Sequence, residues 1–378
     1  MRVLFICENY YPHIGGAEVV FKNLAERFAL QKNKVAILTH QLPNTPIKEV
    51  INGVKIHRLP CFHSRYWFTF LAILPAIKLA KKADLIQTTT FNGAFPAWIA
   101  SKITGKPVVI TVHEVWINKW KKITEFSWLK CLIHELLERS IYLLNFNRYI
   151  CVSQATLNDL IKLRIKKKRI KLIRNGFDYQ AWNPNNWKKS EIKGIRKKYE
   201  WKNNFVYFSW GRPGPTKGFE YLIQSMVKLK KIIPPSHLIL MLSKDIAYQK
   251  KRKQLLDLIQ KLKAQSYIQI VDSAPNLELG KHILAADCIV IPSVSEGFGY
   301  TTLETVSLNK PIIVSDAGSL PEVVSKKHLI FKTKSIADLT EKMVLAYNGK
   351  YNFIPEKKFS WEESVNQYLK TYHHLIKK

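Results

Sequence analysis

The sequence predicts an α/β protein built from two doubly wound parallel-sheet domains, and three observations predict it. Short apolar runs rich in Val, Ile and Phe alternate with amphipathic segments along the chain, as strand–helix–strand units require. The alternation starts afresh after a polar, aromatic and lysine-rich stretch, 179–204. The length of 378 residues also exceeds what one ordinary core organises.

Taken in order, the strand candidates of the first half are 3–7, 35–39, 54–58, 84–88, 108–111 and 149–152. Those of the second half are 205–209, 238–242, 268–271, 288–291 and 312–314. Each is a short run of β-branched or aromatic residues between polar or turn-forming neighbours. Helical periodicity fills several gaps, notably 17–30 and 219–230. A final helix is expected behind Ser360, a good N-cap followed by Glu362 and Glu363 in the first turn. The expected domains are 1–178 and 179–359, facing each other across a cleft. The closing helix, 360–378, can pack back on the first domain.

Composition narrows the classes. Apolar content of 47% without low-complexity tracts fits a globular protein. The net charge of +32 is spread over both halves and favours polyanionic partners: nucleotide diphosphates, anionic lipid or nucleic acid. A solvated lysine-rich surface is the plainer reading of the same charge. The five cysteines form no C-x-x-C pair, which argues against structural zinc and a disulfide framework. The first residues, 1–7, read as a strand leading into a loop and helix, with no cleavable signal pattern. The longest apolar stretch, 67–77, is too short to span a bilayer and contains Pro75. An intracellular protein whose membrane contact is peripheral is the expectation.

The most telling segment runs from Glu296 through Gly297, Phe298, Gly299, Tyr300, Thr301, Thr302 and Leu303 to Glu304, behind the buried-strand candidate 288–291. It reads as strand, glycine turn and helix, with one acid in the loop and another a turn inside the helix. Helix-entry amides over 300–302 suit an anion, and carboxylates accept bonds from sugar hydroxyls. The loop 211–218 follows the first strand of the second domain; glycines and prolines fix it, while Arg212 and Lys217 offer a planar fork and a point charge to phosphate oxygens. Its spacing is not that of a Walker A loop. In the first domain, Gly15 and Gly16 lie in the first strand-to-helix loop, where glycine lets backbone amides approach a diphosphate; a tight turn needing positive φ is the alternative. His113 follows a strand end and reads equally as a structural histidine and as a group that orients a sugar or stabilises charge, rather than one that binds metal. The turns 175–178 and 316–322 read equally as plain connections. No Asp-x-Asp occurs to hold a metal–diphosphate.

In this order the motifs resemble the retaining glycosyltransferases of family 4 (GT4), which have the GT-B fold. The resemblance covers nearly the whole chain: Gly15-Gly16, His113, Val152-Ser153, 175–178, Gly211-Arg212 with Lys217-Gly218, 296–304 and 318–322. It implies two Rossmann-like domains, the first on the acceptor side and the second binding a nucleotide-sugar donor. Arg212 and Lys217 would neutralise the donor diphosphate and the leaving group. Glu304 would hold the ribose hydroxyls, and Glu296 would contact the donor sugar near its anomeric carbon. Gly16 and the amides of 299–301 would touch phosphate, and Val271, Asp272 and Ser273 would line the base pocket. No metal or other cofactor is implied. Two departures stand out: one glycine, Gly318, where the family often has two, and no glycine pair after Glu322.

On the acceptor side, segments 61–68 and 116–122 interleave aromatics with basic residues, and 162–171 is densely positive. These segments read equally as a buried aromatic face with a solvated charged rim and as a peripheral contact with an anionic membrane surface, the second reading going with a glycan or lipid-linked acceptor. Alternatives within the fold are a sugar-nucleotide epimerase or a phosphorylase. A nucleic-acid-binding module is the alternative from another class; it lacks a basic helix or an aromatic RNA-reading strand.

Overall fold

The computed structural model describes residues 1–13, 15–62, 64–201 and 204–377. They divide into two compact units. The first holds Met1–Lys122, Phe126–Phe177 and Phe359–Lys378, and the second holds Ile123–Glu125 and Asp178–Lys358.

The first unit is built on strands β1 (Arg2–Ile6), β2 (Lys34–His40), β3 (Lys48–Ile51), β4 (Val54–Leu59), β5 (Leu85–Thr89), β6 (Val108–Val112), β7 (Arg148–Cys151) and β8 (Ile170–Leu172). They form one sheet in the order β3-β4-β2-β1-β5-β6-β7-β8. All neighbours are parallel except β3, which runs antiparallel to β4 at the edge. β5 and β6 are buried along their whole length, as central strands covered on both faces must be. Helix Gly16–Leu30 turns Val20, Phe21, Leu24, Ala25 and Phe28 inward, a helical-period stripe against the sheet.

That core takes polar insertions from far along the chain. Helix Trp361–Ile376 is capped by Ser360, whose hydroxyl accepts from the amides of Glu362 and Glu363. It lays Tyr368 and Tyr372 against the sheet. The Tyr372 hydroxyl donates to Gln87 Oε1 at 2.6 Å, and Tyr368 Oη lies 3.0 Å from Thr111 Oγ1. Phe28 meets the Tyr372 ring edge-on at 5.7 Å.

The second unit contains β9 (Phe205–Gly211), β10 (Ser236–Leu242), β11 (Ile268–Asp272), β12 (Cys288–Ile291), β13 (Ile312–Ser315), β14 (Lys326–Phe331) and β15 (Asn352–Ile354). Their order is β11-β10-β9-β12-β13-β14-β15, parallel except for the β14–β15 pair. Helix Phe219–Ile232 packs Leu222, Ile223, Met226 and Leu229 into a core shared with Tyr207, Leu240, Val290 and Ile313. All five cysteines are free and buried. Every strand candidate of the sequence lies on an observed strand; β3, β8, β14 and β15 were not anticipated.

Candidate active site

In the second sheet the strand order runs outward from β9 in one direction and from β12 in the other. Crossovers leaving these neighbours diverge, and open α/β sheets take their ligands at the carboxyl ends of such a pair. Loop 212–218 leaves β9, and loop 292–299 leaves β12.

The two loops are tied together. The Val294 amide donates to the Thr216 carbonyl at 2.7 Å. Gly218 sits at φ +67, and a Cβ there would fall on the Pro292 carbonyl oxygen, so the position needs glycine. The Lys217 ammonium then reaches Glu296 Oε2 at 2.8 Å, with the Ser293 hydroxyl donating to the same oxygen at 3.5 Å. The backbone of Glu296 is gripped from a third loop: the amide and hydroxyl of Ser319 both donate to its carbonyl at 3.1 Å. Gly318, at φ +54, passes where any Cβ would strike that carbonyl. The segment 316–322 is therefore more than a connection, and its single glycine suffices for the close approach. Asp316 ties the loop down by accepting from the Thr333 amide at 2.8 Å.

Glu304 lies in the second turn of helix Tyr300–Ser307. The Trp210 indole N–H donates to it from the end of β9, while its Oε2 is buried without a partner among the described residues. Burial pushes this carboxyl up to about 7, against the Trp210 hydrogen bond and the charge of Lys217; the neighbouring Glu296 pushes the same way as burial. Thr301 Oγ1 is likewise buried and unpartnered among the described residues. Phe298 is buried against the Tyr300 ring at 5.3 Å, and Gly299 enters the helix at φ +93. One expectation is corrected here. The Thr302 amide donates to the Gly299 carbonyl at 3.1 Å, a bond of the first turn, and so leaves the anticipated anion seat.

Lys217, Glu296 and Glu304 are thus brought together. Arg212 stands exposed at the start of the same loop as Lys217, and Gly297 is half-buried beside Glu296. Val271 and Asp272 end the edge strand β11 and Ser273 follows it, two strands from β9 and about 10 Å across the sheet. The Asp272 side chain is held by Lys244 at 2.6 Å and Arg252 at 2.8 Å.

The first sheet has its own switch point, between β1 and β5. There a cavity of about 140 Å³ is lined by Glu8, Glu18, Phe91 and His113 among others. His113 Nε2 is buried without a partner among the described residues. Burial lowers the imidazole to about 4, the Glu18 charge opposing, so the ring is neutral. Burial also raises Glu8, although Arg65 approaches it at 3.1 Å and the Asn92 amide donates to it at 3.1 Å. Glu18 is desolvated too, but the hydrogen bond and charge of His13, 3.2 Å away, hold it below the usual carboxylate range.

Gly15 is the extended N-cap at φ −150 and Gly16 opens the helix, so neither requires positive φ, contrary to the tight-turn alternative. A side chain at Gly16 would meet nothing within 4 Å, which leaves the helix entrance open to a ligand. Ile14 and His63, within two of the motifs read from sequence, lie outside the described residues. Gly176 packs against Trp361, and Asp178 accepts from the amides of Gln180 and Ala181 at 3.1 Å each.

Sequence reasoning missed Trp210, Ser319, Glu8, the Glu18 side chain and Arg65. Glu8 could have been found, because it immediately follows the first strand candidate. Trp210 reads as core from sequence alone.

Two family models cover most of this arrangement. Glycosyltransferase Family 4 matches residues 14–181, and Glycosyl transferases group 1 matches residues 191–361. The chain is a GT4-like glycosyltransferase. Among relatives of this glycosyltransferase, the GPI3 subunit of phosphatidylinositol N-acetylglucosaminyltransferase from Saccharomyces cerevisiae (strain RM11-1a) is 22% identical over 97% of this chain and 79% of its own. UDP-Gal:alpha-D-GlcNAc-diphosphoundecaprenol alpha-1,3-galactosyltransferase from Escherichia coli is 25% identical over 65% of this chain and 61% of its own. The crystal structure of Anabaena Alr3699/HepE in complex with UDP and glucose superposes with a TM-score of 0.77 at 20% identity, covering 99% of this chain and 100% of that one. This likeness shows that the glycosyltransferase has the two-domain GT-B fold.

Proposed function

We propose that this glycosyltransferase is retaining and metal-independent, and moves a sugar from a nucleotide-diphosphate donor to a glycan or lipid-linked acceptor. The observation that carries the reading is the convergence of Lys217, Glu296 and Glu304 at the switch point of the second sheet.

Lys217 is paired with Glu296. An incoming diphosphate offers that ammonium a stronger partner, and Glu296 is released to the donor sugar near its anomeric carbon. Arg212, exposed at the loop's start, adds a guanidinium for the phosphate oxygens. Positive charge fixed before the reaction then stabilises the departing nucleotide diphosphate. Glu304 accepts from the ribose hydroxyls through its unpartnered Oε2, and the amides of 299–301 meet phosphate. The base lies toward 271–273 at the edge of the sheet. Gly15 and Gly16 supply amides from the first domain, and neutral His113 orients the sugar or acceptor.

The first domain, 1–178 with the closing helix, is read as acceptor-side and the second as donor-side. The Anabaena structure holds UDP and glucose, and the E. coli relative is named for UDP-Gal, which supports a UDP-sugar donor. The names of the yeast and E. coli relatives carry phosphatidylinositol and diphosphoundecaprenol, which supports a lipid-linked acceptor. No helix among the described residues is long and apolar enough to cross a membrane. A cytoplasmic enzyme held peripherally on the membrane fits these readings.

The test is transfer itself. Protein incubated with a panel of UDP-sugars and lipid extracts should give a glycosylated product by mass spectrometry, with the donor's anomeric configuration by NMR and full turnover in a chelator. Lys217→Ala should lower kcat by about a hundredfold or more. An inverted product, loss of activity on chelation, or an undiminished Lys217→Ala variant would each remove the corresponding part of the proposal.

A further inference from the structure

Helix Trp128–Leu143 of the first unit is amphipathic, but its solvent side is apolar as well. Cys131, Glu138, Ile141 and Tyr142 face inward. Outward face Leu129, Leu132, Ile133, Leu136 and Leu137, each between 46% and 59% exposed. Their positions follow the i, i+3, i+4, i+7, i+8 rule, so they form one continuous stripe along a helix about 24 Å long. Trp128 at its start is 70% exposed. Scattered surface leucines need no explanation, but a contiguous stripe does.

Further exposed apolar residues lie nearby. The turn Phe91–Gly93 packs against both this helix and helix Phe68–Leu71, whose Phe70 and Leu71 are exposed in turn. Cations border it: Lys121 and Lys122 are exposed, and the Lys130 ammonium lies 4.0 Å from the centre of the Phe126 ring. The helix's acids do not offset them. Glu135 is paired with Arg139 at 2.7 Å, and Glu138 is buried, accepting from the Trp116 amide and the Trp120 indole at 2.8 Å each. A second copy of this chain is a poor occupant, because each copy carries +32. An anionic lipid surface complements both the stripe and its border.

We infer that the leucine stripe of helix Trp128–Leu143, with the neighbouring Phe70 and Leu71, is the face on which the first unit docks to an anionic bilayer. The apolar side chains enter the boundary between headgroups and acyl chains, and the lysines stay at the phosphates. The inference rests on the peripheral association proposed above and adds the surface that produces it.

Flotation tests it, with vesicles of phosphatidylcholine alone and of phosphatidylcholine with an equal part of phosphatidylglycerol, at low and high salt. The full chain should float with the anionic vesicles and less so as salt rises. Leu132→Ser/Leu136→Ser should bind at least about tenfold more weakly, since two half-exposed leucines no longer enter the lipid. Its thermal unfolding should be unchanged. Lys121→Glu/Lys122→Glu should lose most of the anionic preference. If the unaltered chain does not float, peripheral association and docking face both fall. If it floats and the leucine variant floats equally, the face is wrong while the association stands. If the chain is a dimer in solution that the leucine substitutions dissociate, the stripe's occupant is a second copy and the inference is overturned.

Discussion

In the role proposed for it, Glu304 couples nucleotide binding to proton release. Its carboxyl, raised by burial from the ordinary 4.5 to about 7, is largely neutral under mildly acidic conditions. A folded value above the unfolded one stabilises the fold fully below about 4.5, and that contribution is lost as pH rises through about 7. Donor binding in the proposed mode has the opposite slope, because only the carboxylate would accept from two ribose hydroxyls. Calorimetric affinity for UDP should therefore rise between about pH 6 and about pH 8, and Glu304→Gln should flatten the profile. Glu304→Ala should weaken binding by about 1.5–3 kcal/mol. A steep profile surviving in the Gln variant would place the titrating group elsewhere. His113 has the other sign. Its folded value of about 4 lies below the ordinary 6.5, so stability present above 6.5 is lost as pH falls toward 4. Denaturant midpoints for His113→Asn, read over that window, should show less acid sensitivity than the unaltered chain. That Glu296 and Glu304 belong to one constellation was legible because both sit on one strand–turn–helix unit. The Trp210 contact was not, since a tryptophan ending an apolar strand looks like core until the fold aims its indole N–H at a carboxylate on the helix behind a neighbouring strand.

At the scale of elements, three loops depend on two glycines. Gly218 and Gly318 each combine positive φ with a carbonyl oxygen where a Cβ would stand. Gly218→Ala and Gly318→Ala should each cost about 1–3 kcal/mol of stability and disarrange Lys217 or Glu296, measurable as a lowered Tm together with lost turnover. Gly16→Ala is the contrast: open space and helical backbone leave stability unchanged, so any loss of turnover there reports on ligand contact alone. Ser360→Ala should cost about 0.5–2 kcal/mol by removing the hydroxyl that accepts from two helix-entry amides. The central strands were legible because burial on both faces forces apolar runs. The edges were not. β3 reads Lys-Glu-Val-Ile with half its residues exposed, and β15 spans only Asn352–Ile354, so neither carries enough pattern to separate it from loop. The helix Trp128–Leu143 differs again, since its leucines are apolar yet stand in solvent.

For the molecule as a whole, hydrogen exchange offers a map of where a nucleotide acts. UDP should protect amides in 209–218 and 292–305 of the second unit. Added protection at the helix entrance beginning at Gly16 would show that the first unit contributes to the same ligand. No protection in 209–218 would remove the donor assignment. The tyrosines of helix Trp361–Ile376 bear on how such a chain is made. During synthesis, residues 1–177 leave the ribosome long before Tyr368 and Tyr372 exist. Until those hydroxyls arrive, Gln87 Oε1 lacks the donor it has in the finished fold. The unit translated first is thus finished last, and a nonsense mutation near position 358 would injure the half of the enzyme whose message had been read correctly.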